Sequence, residues 1–504
     1  MNQSSANLQA SPPVLRKLVL VLGIPIDDLD MEQTLDRLEE FIHIGRRSGK
    51  SHQVATVNAD FVVKALQDPE LCYLLQGADL ATADGIPLVW GARLLGVPLE
   101  ERVAGSDMVP ALVGRAAEKG YSIYLLGAGP GVAARAAEVL KEKHPGLKIA
   151  GVQSPPFSPV LEMSPKIVDE INAAQPDILL VAFGNPKQEK WIDMTRASLS
   201  VPVIIGVGAT LDFIAGSKKR APLWMQRLGL EWLFRLLQEP ARLWRRYVVD
   251  IVVFSTFFMR QWWIMRQSEA PSVHLPDADL LFLNDHAIIN VQGRLTLANC
   301  HNLLELGQQG LALSDDVIIN LERTEFLDSS AIGVLVNLAK NAREQGGEMT
   351  LVATPALILN TFNMLRLETF FAFQDSLSQA LQLPIIESKK EPGSLKTDGV
   401  LSHPNTEWHV VKAPRHLDHF TAPEMDAVWS SGLENTPYVV LDLSETAIIT
   451  SAGLALLAKL HRLAAEANGE LRISGCSKDV GRVFEMVHFN ELVPIYPNLA
   501  AATS

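Results

Sequence analysis

Residues 177–191, DILLVAFGNPKQEKW, decide the fold. The apolar run Ile178–Phe183 has strand length and no polar alternation, which predicts a strand covered on both faces, as in a parallel sheet. It stops at Gly184, and the polar cluster Asn185, Lys187, Gln188 and Glu189 then opens a helical pattern. The same unit recurs on either side. QVATVN (53–58), SIYLLG (122–127) and VPVIIGVG (201–208) are each followed by a helical stretch, and LVLVLGI (18–24) reads as the first of the series. Repeated strand–helix units predict an α/β domain with a parallel sheet over residues 17–216.

In open α/β sheets, ligands gather at the carboxyl ends of strands. Asn58 follows QVATV, with Thr56 just before it, Asp84 and Gly85 follow the apolar stretch near Leu80, and Lys187 and Gln188 follow DILLVAFG; Asp212, with Thr210, follows VIIGVG. Each has a plainer reading beside the functional one. Asp84 before Gly85 suits a turn, Asn58 and Asp212 suit helix caps, and Lys187 and Gln188 suit a solvated helix start. Their convergence predicts a small-molecule site. Gly127 and Gly129 (GAGPG, 127–131) link a strand to a helix start, where backbone N–H groups receive phosphate. The run is not a complete GxGxxG. A nicotinamide dinucleotide or the diphosphate of a nucleotide sugar would use the same physics.

The charge is unevenly distributed. The 504 residues carry 57 acidic and 44 basic side chains, a formal charge of −13, which argues against a nucleic-acid coat. Between residues 216 and 247, however, eight basic residues, including Arg235, Arg242, Arg245 and Arg246, stand against Glu231 and Glu239 alone. Five of the nine tryptophans (Trp224, Trp232, Trp244, Trp262, Trp263) lie in or beside this stretch. Arginine interleaved with tryptophan suits a helical appendage on a membrane surface, and a helix pair packed on the core with a wet arginine face is the plainer alternative. The longest lipid-like run, Ile251–Met259, is far short of the roughly 18–20 residues of a spanning helix, so no crossing is expected. The polar start lacks a secretory apolar core, and three scattered cysteines (Cys72, Cys300, Cys476) read as reduced thiols.

Beyond residue 267 the chain repeats itself. The segment 315–353 and the segment 436–475 share the order strand, turn, helix, strand at the same spacing, which predicts two copies of a small α/β module. The expected divisions are a disordered tail (1–16), the core (17–216), a basic Trp-rich helical appendage (217–267), a first module (277–383), a linker (384–406) and a second module (407–500).

Several of these stretches together resemble a known family. TVNAD (56–60), ADG (83–85), RVAGSD (102–107), GNPKQEKW (184–191), GVGATLDFIAG (206–216), KRAP (219–222) and EWLFRLLQEPARLWRRY (231–247) resemble the WecG/TagA/CpsF glycosyltransferases, over about half the chain. The resemblance implies a Rossmann-like domain. It also implies inverting, metal-independent transfer of an N-acetylmannosamine-type sugar from a UDP donor to a polyprenyl-diphosphate-linked saccharide. By motif position Asp84 is the expected general base, with Thr56 and Asn58 beside it, Gln188 on the donor sugar and Arg102 as a site arginine. Arg235, Arg242 and Arg245 match the appendage arginines that serve the diphosphate.

The two modules resemble STAS domains, the fold of anti-sigma-factor antagonists. FLDSSAIG (326–333) places Ser329, and ITSAG (449–453) places Ser451, at that family's phosphorylated serine; Thr450 stands where the first copy has Asp328. A plain N-cap role is the alternative for both serines. The implied partners are the UDP-sugar, the polyprenyl acceptor, the inner face of the plasma membrane and a protein or kinase at the modules. Nucleic acid is not among them, no cofactor is expected, and a homo-oligomer is compatible with the resemblance. The competing reading is a non-catalytic STAS interaction protein with a degenerate transferase half.

Overall fold

The computed structural model describes residues 17–503 except 157, 228–229, 268–277, 284–285, 376, 383–399, 404–405, 436–437 and 488. The expected tail 1–16, the break after Gln267 and most of the expected linker therefore lie outside the described residues.

The core is a six-stranded, wholly parallel sheet. Its order is Leu80–Ala83, His52–Val57, Val203–Gly206, Ile178–Ala182, Ser122–Gly127, Lys148–Gln153. The apolar run that opens the reading sits near its centre and is covered on both faces. Ile178, Leu180 and Ala182 belong to one apolar layer, while Leu179 and Val181 pack with Trp191 and Ile192 in the other. One strand departs from expectation. Leu18–Val21 does not join this sheet but pairs antiparallel with Ile24–Asp27 as a hairpin. Leu22 and Gly23 take φ of 51° and 85°, the two left-handed residues that a tight hairpin turn requires, so the chain reverses where the apolar run looked continuous.

The appendage is helical as expected: Leu223–Arg227, Glu231–Gln238 and Pro240–Gln267, with Pro240 opening the last. This helix is a correction to the nine-residue apolar run. It continues for 28 residues, and its segment Leu243–Arg266 is long and apolar enough to cross a membrane by length and composition. One side of it is nonetheless bound to the protein. The Gln261 side chain accepts from Leu22 N–H (2.8 Å) and donates to the Leu20 carbonyl (3.0 Å). Phe258 fills the space beside Gly91, where a Cβ would come within 2.9 Å of the ring.

The two modules share one topology, which confirms the duplication. In the first, Ala278–Leu283 is antiparallel to His286–Leu295, and Val317–Leu327, Met349–Val352 and Ala372–Gln374 follow in parallel. In the second, Val400–His403 is antiparallel to Thr406–Lys412, and Tyr438–Asp442, Glu470–Ser474 and Ile495–Tyr496 follow in parallel. The second module thus begins inside the stretch expected as linker. Its first strand was hidden because LSHPNTE (401–407) reads as a loop by composition. Both modules pack on the core. The first places Gly333 of helix Ser329–Glu344 against the Leu18 carbonyl, and the second sets the start of helix Ser451–Glu466 on helices Pro69–Gly77 and Lys187–Arg196.

Candidate active site

The site is built where three strands end together. Thr56, buried at the end of its strand, donates through its hydroxyl to the Gly206 carbonyl of the neighbouring strand (3.1 Å). The Asp84 N–H donates to the Val57 carbonyl (2.7 Å), which fixes the turn after Ala83 beside that same strand end. Asn58 does cap the helix Ala59–Ala65, accepting from Phe61 N–H at 3.1 Å, and it lies against Gly85. Thr56, Asn58 and Asp84 therefore form one cluster. The cap role of Asn58 coexists with a place beside the carboxylate.

Asp84 is half-buried and its pKa is raised from the ordinary carboxylate range to about 7. Burial is the main cause. Arg235 and then Arg102 pull it back, while Glu231 and Asp107 push it up further. Arg102, Glu231 and Asp107, joined by Arg220, form a closed ring of ion pairs beside it. Arg102 donates to Glu231 (3.0 Å) and Asp107 (3.1 Å). Arg220 forks onto both oxygens of Asp107 (2.7 and 2.9 Å) and reaches Glu231 at 3.2 Å. Arg235 is exposed and stacks over the Phe213 ring (5.2 Å). A carboxyl that titrates near neutrality beneath guanidinium groups can take a proton from an alcohol while the cations hold a dianionic leaving group.

Asp107, Arg220 and Glu231 were not among the expected site residues. All three stand within the quoted motifs, but the two links that join Arg102 to Glu231 and Arg220 to Asp107 span more than 100 positions and give no spacing signal.

Other expected residues take supporting positions. Gln188 is 1% exposed, and its amide is engaged on three sides. Its oxygen accepts from Gly184 N–H and Gly208 N–H (both 3.1 Å), and its nitrogen donates to Glu189 (2.8 Å). With these bonds the side chain braces the two loops that follow the central strands. Gly206 makes room for it, since a Cβ there would lie 2.5 Å from the amide nitrogen. Burial raises the Glu189 pKa to about 8. Lys187, at the helix start, lies over the Phe183 ring (5.2 Å), and burial lowers its pKa. Gly127 has φ +100° and backs onto the Ala182 carbonyl, and Gly129 follows in the loop leading to the helix Val132–Lys143. Asp212 lies within the short helix Thr210–Ile214 and is not its cap; its carboxylate accepts from the Ser217 hydroxyl at 3.2 Å.

In the appendage, Arg245 is exposed over the Trp244 ring (5.4 Å), and Arg246 pairs with Asp60 (2.7 Å). Arg242 shares that helix; its side chain lies outside the described residues. The outward side of the helix presents Trp244, Val248, Ile251, Val252, Met259 and Trp263, with Trp90 and Leu94 exposed on the helix Ile86–Leu94 that packs against it.

The two module serines are not caps. Asp328 caps the first helix through Ser330 and Ala331 N–H groups, and Ser329, 1% exposed, lies against Met265 Sδ of the appendage (3.1 Å). Ser451, 5% exposed, donates its hydroxyl to Glu70 of the core (2.5 Å).

With this geometry in place, the comparisons with known proteins are direct. The Glycosyl transferase WecG/TagA/CpsF family model matches residues 19–268, and the STAS domain model matches 278–380 and again 401–502. The chain is 36% identical over 193 residues to the N-acetylglucosaminyldiphosphoundecaprenol N-acetyl-beta-D-mannosaminyltransferase of Bacillus spizizenii (strain ATCC 23059 / NRRL B-14472 / W23), covering 38% of this chain and 73% of that protein. It is 33% identical over 224 residues to the protein of the same name from Bacillus subtilis (strain 168), covering 44% and 84%. Among solved structures it is similar to an anti-sigma factor antagonist from Mycobacterium paratuberculosis (17% identity, TM-score 0.21, 22% of this chain and 96% of that one).

Proposed function

Because the chain belongs to the Glycosyl transferase WecG/TagA/CpsF family, and is thus a glycosyltransferase, we propose that it moves an N-acetylmannosamine-type sugar from a UDP donor to a polyprenyl-diphosphate-linked saccharide with inversion at the anomeric carbon. The observation that carries this reading is Asp84: a half-buried carboxyl at a strand end, raised to about 7, beneath Arg102 and Arg235. The relatives' printed names, which join an N-acetylmannosaminyl group to an N-acetylglucosaminyldiphosphoundecaprenol acceptor, support the substrate pair.

In this mechanism the acceptor hydroxyl gives its proton to Asp84 Oδ as its oxygen attacks the anomeric carbon from the face opposite the leaving UDP. The C–O bond to UDP breaks with its electron pair going to the diphosphate. Arg235, Arg102 and Arg245 stabilise that charge, and Lys187 adds to it from the end of the central strand. Thr56 and Asn58 brace the strand end and helix start beside the carboxyl, and Gln188 holds the loops that receive the donor. Incubation of the purified chain with radiolabelled UDP-N-acetylmannosamine and a lipid-linked N-acetylglucosaminyl diphosphate is expected to move label into the lipid phase. Label that stays in the aqueous phase, with every UDP-N-acetylhexosamine tried, contradicts the proposal.

A lipid-linked acceptor would put the work at a membrane surface, and the surface proposed is the cytoplasmic face of the plasma membrane. The exposed stripe from Trp244 to Trp263, extended by Trp90 and Leu94, supports peripheral contact, with tryptophans at headgroup depth. Vesicles containing anionic lipid are expected to bind the chain, and the double variant Trp244→Ala/Trp263→Ala is expected to bind at least about tenfold more weakly. Equal binding of the two proteins would remove the stripe from the account. The tandem STAS modules would serve docking or regulation. The support for this is that both of their helix-start serines are buried against the transferase half, Ser329 by Met265 and Ser451 by Glu70.

A further inference from the structure

The two modules differ at one decisive position. In the first, Asp328 supplies the carboxylate that receives the free N–H groups of its own helix. In the second, Thr450 occupies that position and makes no side-chain capping bond. The orphan N–H groups at that end still need acceptors. They find them on the other domain: Ser451 N–H donates to the Glu70 carboxylate, which also takes the Ser451 hydroxyl (2.5 Å), and Ala452 N–H donates to Asp193 (3.3 Å). Two buried carboxylates of the transferase half thus sit at the positive end of a 16-residue helix of the second module.

The contact is reinforced around its rim. His419 meets Asp193 at 2.7 Å and Arg196 at 3.3 Å, Tyr73 donates to Asp418 at 2.5 Å, and Lys190 holds Glu70 at 2.7 Å. Asp193, Lys190 and Arg196 all belong to the helix Lys187–Arg196, whose first turn carries Lys187 and the Gln188 brace. One end of that helix is in the interface and the other in the candidate site.

We propose that the second STAS module is a dedicated intramolecular partner of the transferase domain, docked because Glu70 and Asp193 replace the capping carboxylate it lacks, and that this docking holds the helix Lys187–Arg196 in the position the site requires. This deepens the docking role proposed above but concerns the interface alone. An added negative charge at the start of the helix opposes both carboxylates and releases the module.

The test is hydrogen exchange on the full chain, a readout that needs no substrate. Thr450→Asp gives the second module its own cap. Amide exchange in the helices Pro69–Gly77 and Lys187–Arg196 is expected to rise at least tenfold, and Glu70→Gln in the same chain, which removes the opposing charge, is expected to reverse most of that rise. From the other side, Asp193→Ala is expected to raise exchange in the helix Ser451–Glu466. In Thr450→Asp, unchanged exchange in Lys187–Arg196, a rise confined to the second module, or a rise that Glu70→Gln does not reverse would each overturn the proposal, as would unchanged exchange in Ser451–Glu466 for Asp193→Ala. Should Thr450→Asp fail to fold, the Asp193→Ala arm decides alone. Because the readout is exchange, a transferase that proved inactive would leave this result standing.

Discussion

Replacing Asp84 by asparagine is expected to lower kcat by about 10²–10⁴-fold, the usual contribution of a positioned general base, while making the protein more stable at pH 8. The two effects have one origin. Burial raises the carboxyl to about 7, far above the roughly 3.9 of an unfolded aspartate. A group raised in the folded state binds its proton more tightly there, so its contribution to stability is fullest below about pH 4 and is lost as pH rises through 7. At pH 8 the native protein holds a buried anion at a cost. Asparagine removes that cost, and the gain, discounted for partial exposure, is on the order of 1–2 kcal/mol, a rise of a few degrees in Tm. At pH 4 the gain should vanish. The wild-type kcat/KM is expected to climb with pH to a plateau, with a midpoint near 7 where Asp84 loses its proton. Thermal melts at the two pH values and a pH–rate profile check all three statements. A destabilised Asp84→Asn, or one that transfers at the wild-type rate, removes the carboxyl from the chemistry.

Arg235→Ala carries the second large effect. The side chain is exposed over Phe213, so its loss should shift stability by no more than about 0.5 kcal/mol. Its charge is nonetheless the strongest influence holding the Asp84 pKa down, ahead of Arg102. The expected result is a loss of roughly 10²-fold in kcat/KM together with a pH–rate midpoint displaced upward. Arg235→Lys keeps the charge without the planar fork and should restore the midpoint more fully than the rate. A rate loss with no movement of the midpoint would mean that Arg235 serves the substrate alone. Arg102 is a poorer probe, because its removal also leaves Glu231 and Asp107 with fewer partners.

Much of this was legible in the sequence because it depends on local pattern. Apolar runs of strand length with polar residues at their carboxyl ends announced the parallel sheet and brought Thr56, Asn58 and Asp84 to one edge. The duplicated module was legible from its repeated order of elements. What escaped depended on partners distant along the chain. In the ring of Arg102, Asp107, Arg220 and Glu231, the two links between its halves span more than 100 residues, and no spacing rule reaches that far. Gln188 looked like a ligand contact because it follows a strand; only the fold shows its amide filled by Gly184 and Gly208. The hairpin at Leu22 was masked because an apolar residue occupies a left-handed turn position, which composition does not reveal. In the sequence Thr450 is only a departure from the first copy's Asp328, whereas in the structure it marks the place where another domain completes the helix end.

The proposed transfer is a single displacement assisted by one base. The measurement closest to that claim is the anomeric configuration of the transferred sugar, read by NMR from the one-bond C1–H1 coupling of the lipid-linked product made from an α-linked UDP donor. A β-linked product is the predicted result. An α-linked product would mean retention, which excludes a single attack from the face opposite UDP, and it would contradict the assignment of Asp84 as the base for that attack.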